Sequence, residues 1–155
     1  MKKVFVYVGH SNWGKSMALK SLTEDNFNKQ NIDISNQSIK VKKMSNDDDG
    51  TSLLNFVREI PNAKHNNFII AFCPHVPTIK DKKGKRNSLE IINELKVSSK
   101  LFFFVQKEKY KDPKTQITEN EINWLSNYGK VYILEGQNEA EIRAERLKRY
   151  IEDNI

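Results

Sequence analysis

Val4-Phe5-Val6-Tyr7-Val8 runs directly into Gly9-His10-Ser11-Asn12-Trp13-Gly14-Lys15-Ser16, and Met17-Ala18-Leu19-Lys20-Ser21-Leu22 follows. A short continuous apolar run that stops at a glycine reads as a buried strand, and the segment after Ser16 reads as a helix. Between them stands a complete G-x-x-x-x-G-K-S loop, in the strand, loop and helix context that gives the motif meaning. This opening unit sets the fold: a strand that feeds a helix begins an α/β domain.

The residue types in the loop suit an anion. Gly9 and Gly14 let the backbone curl, so that successive N–H groups, those of Ser11 and Asn12 among them, point inward as a nest. The first helical turn, Lys15 to Met17, adds unpaired N–H groups and the positive end of a helix dipole. Lys15 is expected to reach the β- and γ-phosphates of a nucleotide, and Ser16 Oγ to sit on Mg²⁺. Trp13 has three places open to it: over the phosphates, stacked on a base, or packed on the loop itself. His10 is either a proton carrier, a phosphate contact or simply a polar loop position.

The 155 residues suit a single domain, 1–155, with one core. Lys and Arg number 26 against 20 Asp and Glu, a formal charge of +6 that favours phosphorylated ligands. The excess is spread along the chain and accompanies no nucleic-acid recognition motif, so a nucleic-acid partner has only weak support. Cys73 is the only cysteine, which excludes a disulfide framework and a thiolate metal cluster. The N-terminal segment has neither the pattern of a signal peptide nor the length of a membrane span, and a reducing cytoplasm is the expected compartment.

Beyond the first helix, Thr23 to Ser38 is polar, with Ile32 and Ile34 as anchors, and reads as a short strand pair or a loop excursion. Ile39-Lys40-Val41-Lys42-Lys43-Met44 alternates as an edge-like second strand. Thr51 is placed to cap a helix bearing Leu53, Leu54, Phe56, Val57 and Ile60, which Pro61 ends. Residues 68–73 and 101–105 are continuously apolar and read as strands covered on both faces. Ser88 opens a helix with Ile91, Ile92 and Leu95 inward. Thr118 with Glu121, and Asn138 with Glu141, have the spacing of capping boxes. Residues 130–134 form the last strand, and Ala140, Ala144, Leu147 and Ile151 line the inner face of the last helix. Arg143, Arg146, Lys148 and Arg149 are assigned to its solvated face.

Strands and helices therefore alternate. The expected fold is a three-layer α/β domain with a five-stranded, mostly parallel sheet and helices on both faces. Ligands bind beyond the carboxyl ends of such strands. That edge gathers the loops at 45–50, 74–87, 106–117 and 135–137 beside Gly14 and Lys15.

With this loop and topology the chain resembles the P-loop NTPase superfamily along its whole length, and its size is closest to the small nucleoside, nucleotide and metabolite kinases. The resemblance implies a P-loop domain that uses ATP and Mg²⁺. In such kinases the segment after the second strand often supplies an acid that orients the acceptor. Asp47-Asp48-Asp49-Gly50 falls there, with Asp47 or Asp49 as the candidate. The other reading of the run is a solvated acidic turn that caps the next helix.

The third strand departs from the family. Its end commonly carries a carboxylate for Mg²⁺, and here the residues are Phe72, Cys73, Pro74 and His75. His75 is a poor substitute for a hard oxygen ligand, and Asp81 lies farther along the loop. Lys80-Asp81-Lys82-Lys83-Gly84-Lys85-Arg86 is the strongest basic run, either a lid whose Arg86 stabilises transferring charge or a solvated surface loop. Lys107, Lys109, Lys111 and Lys114 add charge along the same edge. A GTPase would carry D-x-x-G after the third strand and N-K-x-D near 106–109. The first is absent and Gln106-Lys107-Glu108-Lys109 keeps only the lysine, which leaves ATP as the expected nucleotide. Two functions stay open. One is a phosphotransferase acting on a small hydroxyl or phosphate acceptor. The other is a nucleotide-dependent regulator or partner-stimulated ATPase, with a protein partner.

Overall fold

The structure is a computed structural model that describes residues 1–10, 13–74, 87–109, 112–136 and 139–155, with the side chains of 109 and 112–115 outside that description. Its elements run β1 Lys2–Val8, α1 Lys15–Leu22, β2 Asn31–Ile34, β3 Gln37–Lys42, α2 Asn46–Glu59, a 3-10 turn Ile60–Asn62 and β4 Asn67–Phe72. Then come α3 Ser88–Ser98, β5 Ser99–Gln106, β6 Glu108–Lys109, β7 Asp112–Gln116, α4 Glu119–Ser126, β8 Gly129–Leu134 and α5 Ala140–Asn154.

Helices flank a mixed, mostly parallel sheet of six strands in the order β2-β3-β4-β1-β5-β8. Five strands were expected. The sixth is β2, which pairs antiparallel with β3 through Ile32↔Ile39 and Ile34↔Gln37. Ser35 and Asn36, at φ 52 and 63, make the tight turn between them. Of the two readings of the polar stretch, the strand pair is the one that forms. Lys43 steadies the chain leading into it by donating to the carbonyls of Asn26, Phe27 and Lys29.

β1 lies at the centre because it can be buried on both faces. Its register with β4 and β5 sets Val4, Val6 and Val8 beside Phe68, Ile70, Phe72, Leu101, Phe103 and Val105. That face packs under α2, α3 and α4. Phe5 and Tyr7 point the other way, to α1 and α5. On this second face Phe5 stacks on Phe102 at 4.9 Å, and Phe104 stacks on Tyr132 at 5.5 Å. Cross-strand aromatic pairs of this kind add about 0.5–1.5 kcal/mol each beyond the area they bury.

Several boundaries differ from expectation for local reasons. α2 starts at Asn46 instead of after Thr51, because Ser45 and Asp48 form a reciprocal capping box. Asp49 is then extended (φ −154, ψ 94) and accepts from the Ser52 N–H, so it caps a second helical segment within α2. The Thr118–Glu121 box forms as expected. α5 has Glu139 in its cap position, one residue past the predicted Asn138, which lies outside the described residues. Arg143 is buried, contrary to its placement on the solvated face of α5, whereas Arg146, Lys148 and Arg149 are exposed. The 106–117 segment, expected as a loop, carries the small β6–β7 hairpin. None of the described helices is long and apolar enough to cross a membrane.

Candidate functional site

Neighbouring strands β1 and β5 send their connections in opposite directions, β1 through α1 toward β2 and β3, β5 through α4 toward β8. In an open α/β sheet the crevice beyond the carboxyl ends of such strands is the natural ligand site. The Gly9–Ser16 loop leaves β1 at that place. Gly9 is tied down by its N–H, which donates to Phe72 O at 3.0 Å.

Gly14 has φ +79, and a Cβ there would lie 3.0 Å from Arg143 Nη2, so both conformation and space call for glycine. α1 follows without an acidic residue in its first turn. Ser16 is half-buried in that turn and Met17 is exposed.

Lys15 is only 6% exposed. Its Nζ donates to His10 O at 2.8 Å and stands 3.5 Å from Asp47 Oδ1. That Asp47 oxygen is buried and has no hydrogen-bond partner among the described residues. The acidic run thus divides by function. Asp48 and Asp49 cap helical segments, while Asp47 turns its carboxylate toward Lys15.

Asn46 places the end of β4 against this pair. Its side chain accepts from the Cys73 N–H at 2.7 Å and donates to Cys73 O at 3.0 Å. His10 lies between Cys73 Sγ, 3.9 Å from Nδ1, and Glu121 Oε1, 3.7 Å from Nε2. The Cys73 contact, then the Glu121 carboxylate, push His10 from 6.5 up to about 9 against the opposing effect of burial. Burial alone would raise the Glu121 carboxyl. His10 and the Thr118 N–H outweigh it and hold the group below its ordinary value. Trp13 takes the packed position: it is buried in the α2–α4 core and meets the His10 ring edge-on at 4.9 Å.

Sequence reasoning missed the floor of the loop. Arg143 Nη1 lies within hydrogen-bond distance of Tyr7 Oη (3.0 Å), Gln106 Oε1 (3.0 Å), Trp13 O (3.1 Å) and Gly14 O (3.3 Å). Tyr7 donates to Gln106 Oε1 at 2.8 Å, and Gln106 Nε2 donates to Trp13 O at 3.3 Å. Burial pushes the Tyr7 hydroxyl up to about 12, with Arg143 pulling against it, so it stays a neutral donor. A signal existed in the sequence: Arg143 precedes Ala144 and is followed by Leu147, which puts it beside the helix's apolar stripe.

Ser11, Asn12, His75, Asp81 and Arg86, and with them the Lys80–Arg86 run, lie outside the described residues, as does Lys111. The side chains of Lys109 and Lys114 do too. Lys107 is paired with Glu135 at 3.7 Å. Among the described residues no cluster of three or more His, Cys, Asp or Glu side chains is arranged to hold a metal ion. The chain matches no family model and no curated protein.

Proposed function

We propose that the chain is a P-loop protein that binds ATP with Mg²⁺ and transfers the terminal phosphoryl group to a small hydroxyl or phosphate acceptor. The observation that carries this reading is the buried Lys15–Asp47 pair at the start of α1. A lysine ammonium held among a carbonyl and a carboxylate is a mobile point charge that can exchange those partners for phosphate oxygens. Asp47 then has an oxygen that accepts no hydrogen bond from the described residues, suited to orienting an acceptor hydroxyl or to meeting a cation.

The residues present fit a nucleotide and its metal. Gly14 is in the conformation a phosphate nest needs, and the α1 N-terminus carries no competing acid. Ser16 is the hydroxyl that would hold Mg²⁺, which when bound offsets charge on the phosphates. Lys15 would bind the β- and γ-oxygens and stabilise charge as the phosphoryl group leaves.

The test is a transfer assay with γ-labelled ATP against a panel of nucleosides, nucleotides and phosphorylated metabolites. We expect acceptor-dependent transfer that Asp47→Asn reduces at least tenfold and Lys15→Ala abolishes. Tight ATP binding with no transfer to any acceptor would sink the kinase reading.

One feature supports the second reading, a nucleotide-dependent regulator or partner-stimulated ATPase. β4 ends Phe72-Cys73-Pro74 with no carboxylate, and the Cys73 backbone is held by Asn46. In that case ATP turnover would rise only when a protein partner is added, and a nucleotide-dependent pull-down followed by ATPase measurement selects it.

A further inference from the structure

Arg143 is a buried cation whose described partners are all uncharged: a phenol, a side-chain amide and two backbone carbonyls. Those carbonyls belong to Trp13 and Gly14, the peptide units on either side of the left-handed turn in the loop. A trans peptide is planar and its C=O and N–H point in opposite directions. The Trp13 oxygen is drawn onto the guanidinium, and the Gly14 oxygen is shared between Arg143 and the Ala18 N–H of α1, so the Gly14 and Lys15 N–H groups turn to the opposite side of their peptides. Gln106 reinforces this by donating to the Trp13 carbonyl from the end of β5.

The guanidinium also brings charge. It lies beneath the loop, 7% exposed, where solvent screens it poorly and no described carboxylate neutralises it. Moving such a charge out of water is costly on its own. An anion held on the other side of the same peptides would offset that cost, and the peptides would be polarised toward it by the hydrogen bonds from below.

We propose that Arg143 is a positioning residue for the phosphate site: from α5 it sets the Gly14 and Lys15 N–H groups facing the polyphosphate and supplies behind them a positive charge that no described carboxylate neutralises. This rests on the phosphate-binding reading of Gly9–Ser16. Arg143 does not touch the ligand. It acts through the Trp13–Gly14 and Gly14–Lys15 peptides. The four acceptors converge on one guanidinium nitrogen, Nη1, and a lysine, with its shorter stem and tetrahedral ammonium, keeps the charge but not that position.

The experiment uses the full chain and inorganic tripolyphosphate, by titration calorimetry and by amide shifts of Gly14 and Lys15 in NMR spectra. Arg143→Met removes the guanidinium, Arg143→Lys keeps the charge alone, and Arg146→Met removes the same charge from the exposed face of the same helix. Thermal unfolding and circular dichroism establish that each variant is folded. We expect tripolyphosphate affinity to fall at least tenfold in Arg143→Met and three- to tenfold in Arg143→Lys, and to stay within twofold in Arg146→Met. The Gly14 and Lys15 amide shifts on titration should shrink only in the Arg143 variants. If Arg143→Met does not fold, Arg143→Lys decides the matter on the same two readouts. Affinity and amide shifts that match the parent in a folded Arg143 variant overturn the proposal, as does an equal loss in Arg146→Met. A parent chain that binds neither tripolyphosphate nor ATP takes down the phosphate reading itself, and this inference with it.

Discussion

Lys15 and Asp47 shield each other's charge where water is largely excluded, and neither has another charged partner among the described residues. Removing one alone strands the other, which is why single substitutions at a buried pair cost more than the pair is worth. Lys15→Ala and Asp47→Ala should each destabilise the fold, and the double variant should be milder than their sum, with a coupling of about 1–3 kcal/mol. Urea unfolding of the four proteins measures this, and strictly additive effects would show that the pair is not coupled. Gly14 offers a second residue-scale prediction. Gly14→Ala has to hold φ +79 with its methyl against the Arg143 guanidinium, so it should lose about 1–2 kcal/mol from the left-handed backbone alone.

At the scale of elements, α4 joins structure to site through one carboxylate. Glu121 completes the Thr118 capping box and also faces His10 in the loop. Thr118→Ala should lower stability by about 1 kcal/mol, the usual worth of an N-cap. Glu121→Gln keeps an oxygen for the Thr118 N–H and should leave the cap in place while lowering the His10 pKa, which an NMR titration of the imidazole reports. β5 and β8 depend on Gly129: a Cβ there would run into the Leu101 carbonyl oxygen. Gly129→Ala should cost about 1–3 kcal/mol by overpacking, read as a drop in urea midpoint.

Elements like these show what a linear reading can reach. The apolar runs of β1, β4 and β5 and the Thr118–Glu121 box were legible because each is local and periodic. The Ser45–Asp48 cap was hidden by a run of equivalent carboxylates, whose roles divide only when Lys15 is brought beside Asp47. β2 was ambiguous because an edge strand needs little apolar sequence. Arg143 was misplaced because a charged side chain beside an apolar stripe is normally solvated, and its acceptors are distant in sequence, three of the four lying more than a hundred positions earlier.

For the molecule as a whole, the His10–Glu121 contact links stability to pH in a definite direction. His10 binds its proton more tightly when folded, so its contribution is complete below 6.5 and fades as pH rises through about 9. Glu121 has the opposite sense: its contribution is present above its ordinary 4.5 and fades as pH falls through its lowered value. Stability should therefore be highest between about 4.5 and 6.5 as far as this pair is concerned, and decline on the alkaline side. Urea midpoints from pH 5 to 10 test the sign, and His10→Asn should flatten the alkaline decline. An unchanged slope in that variant would place its origin elsewhere.

The long reach of α5 has a consequence for the order in which the protein is made. The ribosome synthesises β1 and the glycine loop before α5, yet the side chain beneath that loop belongs to residue 143, and Lys3 in β1 donates to the backbone oxygens of Asn154 and Ile155. A nascent chain that already displays Gly9 to Ser16 lacks the helix on which the loop is seated. Closing so long a loop of chain is entropically slow. The motif thus emerges well before the helix that seats it, and matures only after that helix is made.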